Sequence, residues 1–221
     1  IHDGTNQEDL TNEIDIIHGN SLHLLELIND ILDLSKIEAD KFELDMKPQS
    51  IEDILQELAN MFNEQAQKKG LLFSIEHQLQ FPFVICIDGR RLRQVLINLC
   101  SNAIKFTLKG SVTLNVELID KQLAFTITDT GIGLTEEQKT QVFDIFAQAD
   151  SSISRRFGGS GLGLSLSIQL AKLMGGNITV QSTFSKGSCF CFVIPFTLSV
   201  PHSSSDINSL LPKEVLKLKP L

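Results

Sequence analysis

The sequence predicts an α+β fold, with one mixed β-sheet that carries helices on one of its faces. Strands and helices follow one another in runs rather than in a strict βαβ alternation. Two neighbouring segments, 111–119 and 122–129, alternate apolar and polar residues as an antiparallel pair does. With 221 residues, of which 42% are hydrophobic, the chain can fill one domain core and carry an appendage.

The first predicted element is a helix over residues 11–41. Apolar and small residues recur there at alternating steps of three and four, the pattern of a coiled-coil seam. The seam consists of Ile14, Ile17, Ser21, Leu24, Ile28, Ile31 and Ser35. Leu25 and Leu32 form a second apolar column beside it. One helix cannot bury such a stripe alone, so we expect a hairpin partner, a second subunit or both.

The remaining elements follow after Pro48, which breaks the first helix. The pattern predicts a helix from a capping box at 50–53 to about Gly70, strands at 71–78 and 83–88, a helix at 90–106, the pair at 111–119 and 122–129, helices at about 135–145 and 163–174, and strands at 177–183 and 188–197. Residues 199–212 are rich in Ser and Pro and are expected to form a linker.

Composition excludes several classes of function. The net charge of −8 argues against binding to a nucleic-acid backbone. No apolar run reaches the ~18–20 residues of a membrane helix, and no signal peptide is visible, so we expect no membrane contact by these residues.

The four cysteines show neither CxxC nor zinc spacing and are expected to be structural free thiols in a reducing cytoplasm. The chain begins with Ile1 rather than Met, which suggests a piece of a longer protein.

Three polar patches stand out. In the helix at 90–106, Asn98, Asn102 and Lys105 fall on one narrow stripe beside the apolar face. Amide oxygens suit Mg²⁺ and a lysine suits phosphate, although a polar helix edge would give the same stripe. Asp129 ends a strand and precedes Gly131 and Gly133. A carboxylate at a strand end can accept a hydrogen bond from an exocyclic amine, although a simple turn would explain the same pattern.

The third patch is a glycine run that opens a helix. Its members are Gly158, Gly159, Gly161 and Gly163. Backbone N–H groups at a helix start can hold phosphate oxygens. The run fits GxGxxG only out of phase, no strand leads directly into it, and no GK[ST] follows, so Rossmann and Walker loops are both poor alternatives.

Together the three patches, in this order, resemble the nucleotide-binding domain of sensor histidine kinases, within the gyrase–Hsp90–kinase–MutL ATPase superfamily. "QVLINLCSNAIKFT" resembles the N box, "DTGIGL" the G1 box, "VFDIFAQAD" the F box and "GGSGLGLSLS" the G2 box. "LINDILDLSKIEA" resembles the second helix of the dimerisation hairpin. The match covers roughly residues 11–198. It implies a Bergerat-type ATP-binding α/β sandwich preceded by a helix of that hairpin.

The resemblance also implies roles for individual residues. Asn102 would ligate Mg²⁺, with Asn98 supporting it and Lys105 meeting phosphate. Asp129 would bind the adenine amine in a pocket shaped by Gly131 and Gly133. The glycines Gly159, Gly161 and Gly163 would let a mobile lid at about 147–160 close over the phosphates of ATP. Arg155 or Arg156 would offset charge on the transferred phosphoryl group. Phe143 and Phe146 would anchor the lid by packing rather than stack on the base.

Asn98 bears on the reaction type. Hydrolytic members of the superfamily carry Glu at this place as the base that activates water, and an amide cannot take that proton. This favours phosphoryl transfer to a protein acceptor. A hydrolytic ATPase, or a nucleotide-gated dimeric scaffold without kinase activity, remain the alternatives.

No histidine of this sequence matches the phosphoacceptor motif of the family. The family's acceptor is a His followed by an acidic residue and then Arg-Thr-Pro. Only His2-Asp3 has the acid, and a Gly/Asn loop follows it. His18 and His23 lack an acidic neighbour and are expected to pack at the edge of the helix bundle. We therefore expect the acceptor helix upstream of residue 1, and a fragment that does not phosphorylate itself alone.

These expectations divide the chain into three parts. Residues 1–46 would be a partial dimerisation region, 47–198 the catalytic domain, and 199–221 a linker towards a downstream receiver domain of a hybrid kinase. The expected partners are ATP, a second copy of the chain through the first helix, and a response regulator or receiver domain. The parent protein could be anchored in a membrane outside these residues.

Overall fold

The computed structural model describes residues 6–119, 121–144 and 161–198. In the first helix, the description leaves out the side chains of residues 6–10, 12, 15, 16, 19, 22, 23 and 26. The chain forms two compact units, Ile1–Phe42 and Glu43–Leu221. The described elements are α1 (Asn6–Glu38), β1 (Lys47–Ser50), α2 (Ile51–Lys69), β2 (Leu72–His77), β3 (Val84–Ile87), α3 (Gly89–Phe106), β4 (Ser111–Ile119), β5 (Gln122–Asp129), α4 (Glu136–Gln141), α5 (Gly163–Leu173), β6 (Asn177–Thr183), β7 (Gly187–Pro195) and β8 (Thr197–Leu198).

The first unit contains the long helix α1, which begins earlier and ends sooner than the predicted 11–41. Residues of its apolar seam are exposed, with Ile17 at 64% and Ile31 at 48%. The neighbouring apolar column is exposed as well, at Leu25 and Leu32. The His18 side chain is also exposed. None of the described helices is long and apolar enough to cross a membrane.

The second unit is built on a five-stranded mixed sheet, in the order β2-β4-β5-β7-β6. β2 runs parallel to β4, and the remaining pairs are antiparallel. The predicted hairpin of β4 and β5 is confirmed, with Val112 opposite Asp129 and Ile119 opposite Gln122. The sheet and its helices confirm the predicted α+β class.

The core lies between one face of this sheet and the helices. Alternate residues of the central strands are fully buried, as in Leu123, Phe125 and Ile127 of β5. Phe125 stacks on Phe192 of β7 with ring centroids 5.8 Å apart. The buried helix residues are mainly Ile51, Ile54, Leu58, Phe62, Leu92, Val95, Leu96 and Leu99. Each such side chain contributes about 1.5–3 kcal/mol when it leaves water.

Local signals fix the helix ends. The Ser50 hydroxyl accepts from the Asp53 amide at 3.2 Å, which is one of the two bonds of the predicted capping box. Gly70 ends α2 in the left-handed conformation at φ +69°. The fourth helix is shorter than the predicted 135–145. It is capped by a reciprocal pair of bonds between Thr135 and Gln138.

A second, three-stranded sheet was not expected. Its order is β1-β3-β8, and Pro48 pairs with Cys86 within it. The sequence predicts only that Pro48 breaks the first helix. Because β1 is an edge strand, its proline does not interrupt the ladder on both sides. The predicted strand at 188–197 is likewise split: β7 ends at Pro195 in the large sheet, and Thr197–Leu198 join the small one.

Candidate functional site

The two asparagines of α3 are joined in a directed chain of hydrogen bonds. The Asn102 amide nitrogen donates to Asn98 Oδ1 at 3.2 Å. The Asn98 amide nitrogen in turn donates to Ser167 Oγ of α5 at 2.8 Å. All three side chains lie where α3 packs against α5. Ser167 is only 2% exposed. In this arrangement the Asn102 nitrogen is used by Asn98, which leaves Asn102 Oδ1 for another partner.

Gly163 lets α5 approach this pair. It is the first residue of α5, one helical turn before Ser167. A Cβ at Gly163 would collide with Asn98 Oδ1 and would lie 3.0 Å from Asn98 Cγ. The glycine is therefore needed for close approach of the helix start to the amide, not for an unusual backbone angle.

Lys105 lies one turn beyond Asn102, on the same stripe of α3. Its ammonium is over the Phe106 ring, 5.2 Å from the centroid. Burial lowers the pKa of Lys105, and the positive charge of Lys69 lowers it further. The Lys69 ammonium donates to the carbonyl of Ile104 at 3.1 Å. An anion such as phosphate beside Lys105 would offset this unfavourable interaction between two positive charges.

Asp129 ends β5 and is 6% exposed, although it is a carboxylate. Its Oδ1 accepts from the Gly131 amide at 2.8 Å. Burial raises the pKa of Asp129, while hydrogen bonds from the Gly131 amide and from the amide and hydroxyl of Ser188 act in the opposite direction. A buried carboxylate held by neutral donors can accept from a ligand amine with strong directionality.

The two glycines after Asp129 are required by close contacts. A Cβ at Gly131 would lie 2.5 Å from the Phe106 carbonyl and 2.8 Å from Asp129 Oδ1. Gly133 has φ +63°, and a Cβ there would collide with the Thr183 carbonyl. This loop therefore packs backbone against backbone, which a larger residue would prevent.

Two serines that the sequence analysis missed hold the loop in place. The Leu134 amide donates to Ser182 Oγ at 2.8 Å, and Ser182 donates to the Gly187 carbonyl at 2.9 Å. The hydroxyls of Ser182 and Ser188 are 3.0 Å apart. Ser188 thus connects Asp129 to the β6–β7 turn. Both serines occupy strand positions that look like ordinary polar residues in the sequence, which is why no motif identified them.

The structure describes most of the predicted site residues. It brings Asn98, Asn102, Gly163 and the missed Ser167 together, and it places Asp129 with Gly131 and Ser188. Gly161 has φ +73°, a conformation that favours glycine. Arg155, Arg156, Gly158, Gly159, Phe146 and the predicted lid at 147–160 lie outside the described residues. Phe143 packs against Phe190 edge to face, with centroids 6.5 Å apart, as expected of a packing residue.

This geometry defines a class of protein. A sequence profile of the histidine kinase-, DNA gyrase B- and HSP90-like ATPases matches residues 87–198, which is half of the chain. The chain belongs to this ATPase family. The match begins at the end of β3 and includes α3, the Asp129 loop and α5, the elements that carry the amide chain and the buried carboxylate.

Similarity to individual proteins narrows the class to sensor histidine kinases. The chain is 45% identical over 184 residues to the circadian input-output histidine kinase CikA of Synechococcus elongatus, covering 82% of this chain and 24% of that protein. It is 38% identical over 207 residues to the aerobic respiration control sensor protein ArcB of Escherichia coli, covering 93% and 26%. It thus spans about a quarter of these relatives.

A solved structure agrees with this assignment. Full-length ShkA in complex with AMPPNP superimposes with a TM-score of 0.74 at 31% identity, covering 86% of this chain and 40% of that one. The predicted resemblance and the predicted Bergerat-type fold are confirmed. The second unit contains the ATP-binding domain of a sensor histidine kinase.

Proposed function

We propose that this chain binds Mg–ATP and transfers the γ-phosphoryl group to a histidine outside these 221 residues. The proposal rests on the hydrogen bonds of the Asn98 side chain. Both polar atoms of its amide are engaged, one with Ser167 and one with Asn102. A side chain held in this way, and without a basic group, cannot take a proton from water. Transfer to a protein acceptor is therefore favoured over hydrolysis.

The proposed roles follow the contacts. Asp129 accepts from the adenine amine, and Gly131 and Gly133 shape the pocket by letting the loop pack closely against its neighbours. Lys105, Gly161 and the backbone at the start of α5, at Gly163, meet the phosphates. Arg155, in the segment outside the described residues, and Gly159 complete the site in this proposal, with Arg155 offsetting charge on the moving phosphoryl group.

Asn102 is the proposed protein ligand of Mg²⁺. The Asn98 contact consumes the amide nitrogen of Asn102, and within the described ranges its Oδ1 accepts no hydrogen bond. A free amide oxygen is a hard ligand of the kind that Mg²⁺ takes, together with phosphate oxygens. The donor set therefore fits the metal. When bound, Mg²⁺ would neutralise charge on the phosphates.

The proposed partners are a second copy of the chain, through the exposed seam of α1, and a response regulator or receiver domain that takes the phosphoryl group onward.

The domain limits of 1–46, 47–198 and 199–221 remain part of the proposal. A cytoplasmic setting is supported by four cysteines that are all free. None of the five histidines has both the acid and the Arg-Thr-Pro of the family's acceptor.

Adding an acceptor in trans tests the transfer. The chain is incubated with γ-labelled ATP, Mg²⁺ and a helical hairpin that carries a His-Glu acceptor, and acid-labile label is measured on both proteins. We expect label on the hairpin and none on this chain. Label on His18 or His23 of the chain by itself would contradict the proposal of an external acceptor.

Steady phosphate release distinguishes the hydrolytic alternative. Under the transfer proposal, free phosphate accumulates slowly without an acceptor, because Asn98 cannot activate water. Multiple turnovers of phosphate release that Asn98→Ala abolishes would instead support an ATPase. The control is Asn115→Ala on β4, which changes the same residue type away from the asparagine stripe of α3.

A further inference from the structure

Ser167 is a buried polar residue at the end of the segment that resembles the G2 box, and that resemblance gives it no role. It lies in the middle of α5 and is 2% exposed, among apolar neighbours such as Leu166 and Leu170. Its hydroxyl accepts from the Asn98 amide nitrogen at 2.8 Å, which is a short bond for a nitrogen donor. The two residues are 69 positions apart in the chain, so only the packing of α5 on α3 brings them together.

The bond to Ser167 is continuous with a second bond on α3. The oxygen of Asn98 accepts the Asn102 nitrogen at 3.2 Å, so the three side chains form one connected network. A hydroxyl can accept or donate, whereas an amide has one donor end and one acceptor end. Ser167 can therefore hold the amide pair in place by either role, and its loss leaves one end of Asn98 without this partner.

The geometry points to Ser167 as a positioning residue that holds Asn98, and through it Asn102, in place for Mg²⁺. This inference rests on the proposed function, which makes Asn102 the metal ligand. Ser167 does not touch the nucleotide in this role. It acts from the helix that begins at the glycine run, so the packing of α5 holds the amide pair of α3 in position.

Neighbouring Ser165 provides a matched control. It is equally buried at 2% exposure and lies two residues earlier on α5. Its hydroxyl donates to the Leu162 carbonyl at 2.8 Å, at the start of the same helix, and makes no bond to Asn98. Replacing either serine with alanine removes the same atom from the same helix. Only Ser167→Ala removes the acceptor for Asn98.

The test combines calorimetry and NMR on the full chain. AMPPNP binding is titrated in MgCl₂ and in EDTA. For Ser167→Ala we expect about a ten-fold loss of affinity in Mg²⁺, the scale of one lost bond to a buried group, and less than about a two-fold loss in EDTA. Ser167→Thr keeps the hydroxyl and should behave as wild type, as should Ser165→Ala. Ser167→Cys, with a weak acceptor and less lost volume, should follow Ser167→Ala.

The NMR measurement needs no nucleotide. The side-chain amide protons of Asn98 should shift and exchange faster with water in Ser167→Ala, but not in Ser165→Ala or Ser167→Thr. Unchanged Asn98 signals, equal losses of affinity in Mg²⁺ and EDTA, or the same Mg²⁺-selective loss in Ser165→Ala would each overturn the inference. Failure of the wild-type chain to bind AMPPNP would overturn the proposed function, while the NMR result would still decide whether Ser167 orients Asn98.

Discussion

The amide of Asn98 occupies the space that a methyl group on Gly163 would need. The contact joins the middle of α3 to the first residue of α5. Asn98 cannot yield freely, because its two polar atoms are already bonded to Ser167 and Asn102. The glycine that opens α5 and the asparagine of α3 therefore form one packed unit, and changes at either should affect the other.

Gly163→Ala is expected to weaken nucleotide binding by more than about ten-fold, since moving Asn98 breaks hydrogen bonds worth about 1 kcal/mol each. Alanine is a good helix former and Gly163 has no unusual backbone angle, so the domain should stay folded. Fluorescence titration with an ATP analogue and thermal unfolding measure the two effects. The control is Gly70→Ala. An added Cβ at Gly70 would meet no atom within 4 Å, but the residue has φ +69°, which strains alanine. This change should lower stability and leave binding unchanged.

Asp129→Asn should lower affinity for adenine nucleotides by about ten-fold or more, since a charged acceptor is replaced by a neutral one. The change should not lower the free energy of unfolding at neutral pH, because it removes a buried charge. Calorimetric titration and urea unfolding test both expectations. A variant that loses affinity only because it unfolds would contradict this assignment.

The raised pKa of Asp129 gives wild-type stability a defined pH dependence. The folded state holds the Asp129 proton more tightly than the unfolded state does. The resulting stability is fully present below the ordinary Asp pKa and is lost as pH rises through the raised value. Relative to Asp129→Asn, the wild type should therefore lose stability across that interval on going from acid to neutral pH.

Ser188→Ala should shift the pH dependence of nucleotide binding upward. Binding needs ionised Asp129, so affinity falls as pH drops through the raised pKa of this carboxyl. The Ser188 hydroxyl favours the ionised form, and its removal should raise the pKa further. Affinity measured across acidic pH should then begin to fall at a higher pH than in wild type. Ser74→Ala, on the exposed β2, serves as a control and should leave the profile unchanged.

The sequence predicted the parts of this site that depend on local spacing. Asn98 and Asn102 are four residues apart, and helical periodicity alone places them side by side. The position of Asp129 at the end of β5 followed from the alternation of its strand. Ser167 and Ser188 were missed because their partners are distant in the chain. Their contacts depend on helix packing and strand pairing, which a local pattern does not contain.

The small sheet was missed for a related reason. A proline ordinarily argues against a strand, and this rule fails only at an edge. Whether β1 is an edge depends on its pairing with β3 alone, which only the folded chain shows. The Bergerat-type fold was predicted from the resemblance of four boxes rather than from the strand patterns themselves, and the order of the strands was not predicted.

The cysteines should differ sharply in reactivity. Cys100 is fully buried, and burial raises the pKa of its thiol to about 12. It should resist maleimide at mildly alkaline pH until denaturant is added, because the thiolate is the reactive form. Cys189 and Cys191 are half-buried and should react in the native protein. Peptide mass spectrometry identifies the labelled positions. Native labelling of Cys100 at the rate of Cys189 would contradict the packing of α3.

The exposed seam of α1 leads to the last prediction, which concerns assembly. Ile28 is 45% exposed in this chain although it belongs to a continuous apolar stripe, so a second copy that covers the stripe would remove it from water. Ile28→Lys would then bury a charge at each of two symmetric positions and should weaken dimerisation by at least about a hundred-fold. Asn29→Lys adds the same charge beside the seam and should leave the dimer intact. Sedimentation measures both dissociation constants. A wild-type chain that stays monomeric at high concentration, or equal effects of the two lysines, would show that this seam is covered by something other than a second copy.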